Sequence, residues 1–207
     1  MSDYFKSDIM ESICLSASGF HYFKDRNLAP IPSDVVAPKT IVVFSPLPIL
    51  VPDVPKFSQP AEKFLFLQDL VDDFLVLEEK FQNYRVIYSI NHHNDDRLKS
   101  WHITPQYCNI LPFIYHNLNL RFGDIHDHNA LFLYEEENAF TLILFKQGIV
   151  QMVNKFNSAS YTDMLYYLLN VLAQFNIVPQ NSILYFLYAE KNRDTFLKKY
   201  FEIRYLL

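Results

Sequence analysis

Glycine is nearly missing from this chain: 207 residues contain three, Gly19, Gly123 and Gly148. Loops that wrap a phosphate or a dinucleotide use glycine for positive φ and for close backbone approach, so this scarcity counts against a glycine-rich nucleotide cradle. Basic stretches are also scarce. Lys198, Lys199 and Arg204 form the densest one and read as a solvated helix face, and the net charge is −5. Nucleic acid, whose backbone is held by clustered Lys and Arg, is therefore not an expected partner. Cysteine occurs twice, at Cys14 and Cys108, without the spacing of a zinc site or a disulfide framework. No apolar run reaches the roughly 20 residues that cross a bilayer. The opening Met1-Ser2-Asp3-Tyr4-Phe5-Lys6 lacks the apolar centre of a signal peptide. The expectation is a cytoplasmic protein with no membrane partner and reduced thiols.

What is present is globular. Half of the residues are hydrophobic and 20% are charged, with 19 Phe and 14 Tyr. The length suffices for one large domain or two small ones with real cores.

The first half reads as a strand over 9–15, a turn at Ser16-Ala17-Ser18-Gly19 and a return strand to Phe23. A Pro-rich loop is expected over 25–38. Lys39 to Phe44 is a β-run dense in β-branched residues, and Pro46 to Pro52 is extended because each proline disfavours helix. A helix is predicted over 60–71, with Pro60 in its first turn and Phe64, Leu67 and Val71 on one face. Residues 73–83 give no clear period. Tyr84 to Ile90 is a strand; Thr104-Pro105 opens a helix whose stripe is Tyr107, Ile110, Leu111, Ile114 and Leu118; a short strand near 120–126 would close the half.

The second half is plainer. Strands are expected at 131–134, 140–145 and 149–156, with Lys146-Gln147-Gly148 as a hairpin turn. Ser160 and Asp163 form a Ser-x-x-Asp helix start. The helix 161–175 is apolar nearly all round and should be buried on more than one side. A strand at 183–188, a helix at 192–201 and a strand at 202–207 follow. Each half thus runs βββαβαβ, over about 9–126 and 129–207, which defines lobes at 1–126 and 127–207. Meander strands followed by strand–helix–strand crossovers imply an α/β fold, a mixed sheet with packed helices occurring twice.

That duplicated order resembles the ribonuclease-H-like unit of the actin-like ATPases. More specifically, the chain resembles a functionally uncharacterised bacterial domain-of-unknown-function family classed with them. The likeness is strongest over 139–187: a hairpin ends in Val153-Asn154-Lys155-Phe156-Asn157, Thr162-Asp163-Met164-Leu165-Tyr166-Tyr167-Leu168-Leu169 opens the long helix, and Ile183-Leu184-Tyr185-Phe186-Leu187 follows. The resemblance implies an actin-like fold and no particular activity. ATPases of this style hold phosphates between two hairpins that carry Asp-x-Gly, the Asp acting through metal and water. Here the first turn keeps Gly19 with Ser16 and Ser18 but lacks the Asp. The second, Glu135-Glu136-Glu137-Asn138, has no glycine and three carboxylates that would repel a triphosphate. Ser16, Ser18, Gly19, Glu135, Glu137 and Asn138 are the candidate cleft-lining residues. Nuclease chemistry of the wider superfamily needs acids on the first strand, the first helix and the fourth strand to hold two metals; the first strand offers Glu11, but 84–90 holds none.

His126 and His128, with Asp124 and Asp127, form a metal-ligand pattern, since i and i+2 on a strand share a face. The plain reading is a polar linker between lobes. His92-His93 with Asp95-Asp96 reads as a turn and helix start before it reads as a metal site. Ser16 and Ser18 are not read as nucleophiles. The expectation is a non-catalytic protein without cofactor that binds a protein partner or a copy of itself. A binder of a nucleotide or other small phosphorylated ligand, and a metal-dependent hydrolase at His126 and His128, are the alternatives.

Overall fold

A computed structural model describes residues 12–16, 19–24, 27–29, 40–44, 47–54, 74–101, 103, 105–123 and 125–206. The chain divides into two compact units, Met1–Phe113 and Ile114–Leu207. Each is a mixed α/β structure.

In the first unit, β1 (Ser12–Ser16) turns into β2 (Gly19–Lys24) and then β3 (Asn27–Ala29). β4 (Thr40–Val43) lies parallel to β1, and β8 (Gln106–Asn109) lies parallel to β4. The sheet order is β3-β2-β1-β4-β8. Ile13, Cys14 and Leu15 on β1 and Ile41, Val42 and Val43 on β4 are all buried, as central parallel strands covered on both faces require. A second, three-stranded sheet, β5-β7-β6, is antiparallel: β5 (Ile49–Pro52), β6 (Phe74–Phe81) and β7 (Tyr84–Asn91). Helix α1 (His92–Ser100) follows, capped by the Asn91 side chain, which accepts from the His93 N–H.

The second unit opens within α2 (Ile110–Phe122). Its sheet order is β11-β10-β9-β12-β13, from β9 (Asn129–Glu136), β10 (Ala139–Lys146), β11 (Ile149–Asn157), β12 (Ser182–Phe186) and β13 (Glu202–Tyr205). Helices α3 (Tyr161–Gln174) and α4 (Lys191–Leu197) cover one face. There Leu131, Leu133, Phe140, Leu142, Leu144, Leu184 and Phe186 meet Met164, Leu165, Leu168 and Leu172 in one core cluster. On the other face Tyr115 of α2 meets Phe145, and Phe122 meets Tyr185. The two five-stranded sheets share their strand order rank for rank. In both, the first three strands pair antiparallel and the fourth and fifth are parallel to the first and fourth.

Several expectations for the first half are corrected. The third meander strand is β3, inside the segment expected as a loop; the run at 39–44 is instead the fourth strand and parallel. No helix begins at Pro105, and Thr104 lies outside the described residues. β8 intervenes, because a proline-fixed φ suits the approach to a strand as well as a helix start. The cap of α2 is Asn109, whose Oδ1 accepts from the Leu111 N–H, and Pro112 falls in the first turn. The stretch 120–126 is not a strand: α2 runs to Phe122, Gly123 takes φ +79°, and a 3₁₀ turn spans Ile125–Asp127. The predicted helix at 60–71 lies outside the described residues. In the second half every expected strand and helix is present.

Candidate functional site

Chemistry gathers at the carboxyl ends of β9 and β12, parallel neighbours in the second sheet. Crevices outside the carboxyl ends of strands are where open α/β sheets bind ligands. Here the crevice is filled by the protein. Arg193, on the first turn of α4, is 2% exposed. Its guanidinium carbon lies 3.7 Å from the centre of the Phe186 ring. Nη1 donates to Glu135 Oε1 at 2.5 Å, Nε to Asp194 Oδ1 at 2.9 Å and Nη2 to the Tyr188 carbonyl at 2.6 Å. The surroundings are satisfied in turn. Glu190 caps α4, accepting from the N–H groups of Asn192 and Arg193 and from the Tyr161 hydroxyl. Asp194 Oδ2 accepts from the Glu190 N–H and the Tyr205 hydroxyl.

Burial works against the Arg193 charge, but Glu135 and Asp194 outweigh it and its pKa is raised. Glu190 is held below the usual carboxylate range, chiefly by the Arg193 N–H. One guanidinium thus stands among three carboxylates. A fully bonded buried charge of this kind is a fixed part of the fold, and removing one member strands the others.

The residues singled out from sequence separate. Glu135 is bound to Arg193. Glu136 pairs with Lys155 of β11. Glu137 and Asn138 form the exposed tip of the β9–β10 hairpin, where Asn138 takes φ +55° in the position a glycine would favour. In the first unit Ser16 is buried at the end of β1, its Cα paired with that of Gly19 at the start of β2, while Ser18 lies outside the described residues.

His126 and His128 do not share a strand face, because His126 sits in the 3₁₀ turn before β9. His126 Nδ1 donates to the Gln147 carbonyl at 2.8 Å, which leaves Nε2 as acceptor, 3.3 Å from the Tyr115 hydroxyl. His128 Nε2 lies 2.9 Å from the Tyr185 hydroxyl. The two rings are held by tyrosines of different elements. Asp124 lies outside the described residues, and among the described residues no three of His, Cys, Asp or Glu converge as metal ligands. His92 and His93 are exposed on α1, while Asp95 is buried against Lys99 at 2.5 Å and the Tyr107 hydroxyl at 2.6 Å.

Two features carry no sequence signal. Arg193 reads as one more polar residue of an amphipathic helix, 58 positions from Glu135. Glu79, on a strand the sequence leaves unassigned, accepts from the Asn109 N–H at 2.6 Å. Burial pushes its carboxyl up to about 7. Burial and the nearby Glu79 charge also raise the Cys108 thiol and the Tyr88 phenol.

The class follows from comparison with solved structures. A protein of Bacteroides thetaiotaomicron with actin-like ATPase fold and unknown function superposes with a TM-score of 0.68 at 14% identity, covering 98% of this chain and 93% of that one. This is an α/β protein of actin-like ATPase fold. The PilM-PilN type IV pilus biogenesis complex is a more distant neighbour, with a TM-score of 0.49 at 12% identity over 80% of this chain and 69% of that one. No curated protein matches the sequence. The chain belongs to the family described as "Protein of unknown function (DUF3822)", whose model matches residues 63–203. No helix among the described residues is long and apolar enough to cross a membrane.

Proposed function

We propose that this is a non-catalytic, cytoplasmic protein of actin-like fold, built as two related lobes, that acts by binding another protein or a copy of itself. The duplication is supported by the shared strand order and pairing senses of the two five-stranded sheets. The observation that carries the non-catalytic reading is Arg193. A nucleotide phosphate at the carboxyl ends of β9 and β12 would have to displace a guanidinium that is 2% exposed, stacked on Phe186 and bonded to Glu135. The acids left behind, Glu135, Glu190 and Asp194, would then repel it. The hairpin tip Glu137-Asn138 adds charge of the same sign.

The test is thermal unfolding with ATP, ADP and GTP, each with Mg²⁺. A ligand at about 100 times its dissociation constant stabilises the native state by roughly 2.7 kcal/mol, a shift of several degrees for a chain of this size. No shift is expected. A reproducible rise with Mg-ATP, lost in Gly19→Trp, would replace this reading with that of a nucleotide binder.

A further inference from the structure

β11 is the edge strand of the second sheet, and among the described strands none lies beyond it. Edge strands are templates for another chain, and proteins blunt them with short length, proline, bulges or charges. The other described edges are short or charged: β3, β5, β8 and β13 have three or four residues each, and β6, eight residues long, carries Glu78, Glu79 and Lys80. β11 is nine residues long, Ile-Val-Gln-Met-Val-Asn-Lys-Phe-Asn, without proline. Its register slips once, leaving Gln151 extra, and from Met152 to Asn157 it pairs regularly with β10. That regular stretch is about 20 Å of open main chain. Its only charge, Lys155, is already matched by Glu136 on the inner side.

At the carboxyl end of this edge lies an open pocket of about 660 Å³, lined among others by Glu137, Asn157, Asp163 and Tyr167 and by Lys155, whose ammonium is already paired with Glu136. Glu137 and Asp163 are exposed. Tyr167 is fixed by ring contact with Phe156 at 4.9 Å, and the exposed Tyr166 stands against it at 5.6 Å. Carboxylates beside an aromatic ring suit a cation.

We propose that β11 is a docking edge for an extended segment of another protein that carries a lysine or arginine, the segment adding a strand through main-chain hydrogen bonds while its cation enters the pocket lined by Glu137, Asp163 and Tyr167. This deepens, and rests on, the reading of the chain as a binding protein. Strand addition draws affinity from the backbone and specificity from pockets for individual side chains. A second copy of the chain fits less well on charge. Two copies related by a twofold axis pair this edge antiparallel. Paired over the regular stretch, the copy would bring Met152 and Val153 to the pocket end, neither of them charged. Its Lys155 would fall opposite Asn154, which does not line the pocket. In that register the copy brings no cation opposite Asn157, beside Glu137 and Asp163.

The probe is a library of random twelve-residue peptides displayed on phage and panned against the immobilised full chain. Enriched sequences should be rich in β-branched residues with a Lys or Arg near one end. The best, made synthetically with a fluorophore, is titrated by anisotropy against Val153→Pro, Asn154→Pro and Glu137→Gln/Asp163→Asn. Neighbouring amides on a strand alternate between β10 and solvent, so one proline variant should melt near the parent temperature. That variant, and the neutralised pair, should bind at least tenfold more weakly. Failure of the library to enrich over a blank surface, or binding unchanged in both proline variants, overturns the proposal. Light scattering that finds a dimer dissolved by the well-folded proline variant overturns it in favour of self-pairing. The binding-protein reading itself stands or falls separately, on the nucleotide measurement.

Discussion

Arg193, buried, and Glu79, half-buried, show how differently two charged groups can serve a fold. Arg193 is bonded on every side, so Arg193→Ala leaves Glu135 and Asp194 facing each other without a counter-charge. The expected loss is on the order of 3–5 kcal/mol in urea unfolding, and Arg193→Lys should recover little because an ammonium cannot reproduce the fork. Glu79 instead has burial opposing its charge. Its folded pKa is about 7 against an ordinary 4.5. Below 4.5 the group is protonated in both states and its contribution is complete. As pH rises through that window the unfolded chain releases the proton and the folded one keeps it, so stability falls, levelling off above 7. Glu79→Gln keeps an acceptor for the Asn109 N–H and cannot ionise. Unfolding free energies between pH 4.5 and 7.5 should therefore show a downward slope, of a few kcal/mol in total, that the Gln variant lacks. An unchanged slope would remove Glu79 as its source.

Single elements differ in how much the sequence reveals of them. α3 is legible: Ser160 accepts from the Asp163 N–H at 3.2 Å and returns a hydroxyl bond to its carboxylate, while the apolar residues on its buried faces fill the core. β10 is legible because seven of its eight residues are buried and apolar or β-branched. β3 and β8 are not, since three or four residues next to a proline-rich or Thr-Pro segment carry no period of their own and owe their strand state to the neighbour they pair with. The Glu135–Arg193 contact was invisible for the same reason at longer range: nothing local in α4 announces it. The β10–β11 turn offers a sharp element-level test. Gly148 takes φ +72°, and a Cβ there would lie 2.3 Å from the His126 ring. Gly148→Ala should cost roughly 2–3 kcal/mol from the left-handed backbone and the displaced imidazole, read as a lower urea midpoint. A variant as stable as the parent would show that the ring swings away freely.

At the scale of the molecule, the repeated strand order gives two sheets of one design with different contents at their ends. The second unit holds the Arg193 cluster and the long β11 edge; the first adds the three-stranded sheet β5-β7-β6 and the Glu79 contact. Nothing in either unit's composition foretold that division of labour, because it depends on which side chains the folded topology makes neighbours. One feature of the partition is useful in itself. Both cysteines, Cys14 and Cys108, are buried in the first unit, and the chain's single tryptophan, Trp101, belongs there too. A thiol-alkylating reagent therefore clocks the opening of that unit and is blind to the other, which makes the protein its own half-labelled sample for following the two halves apart.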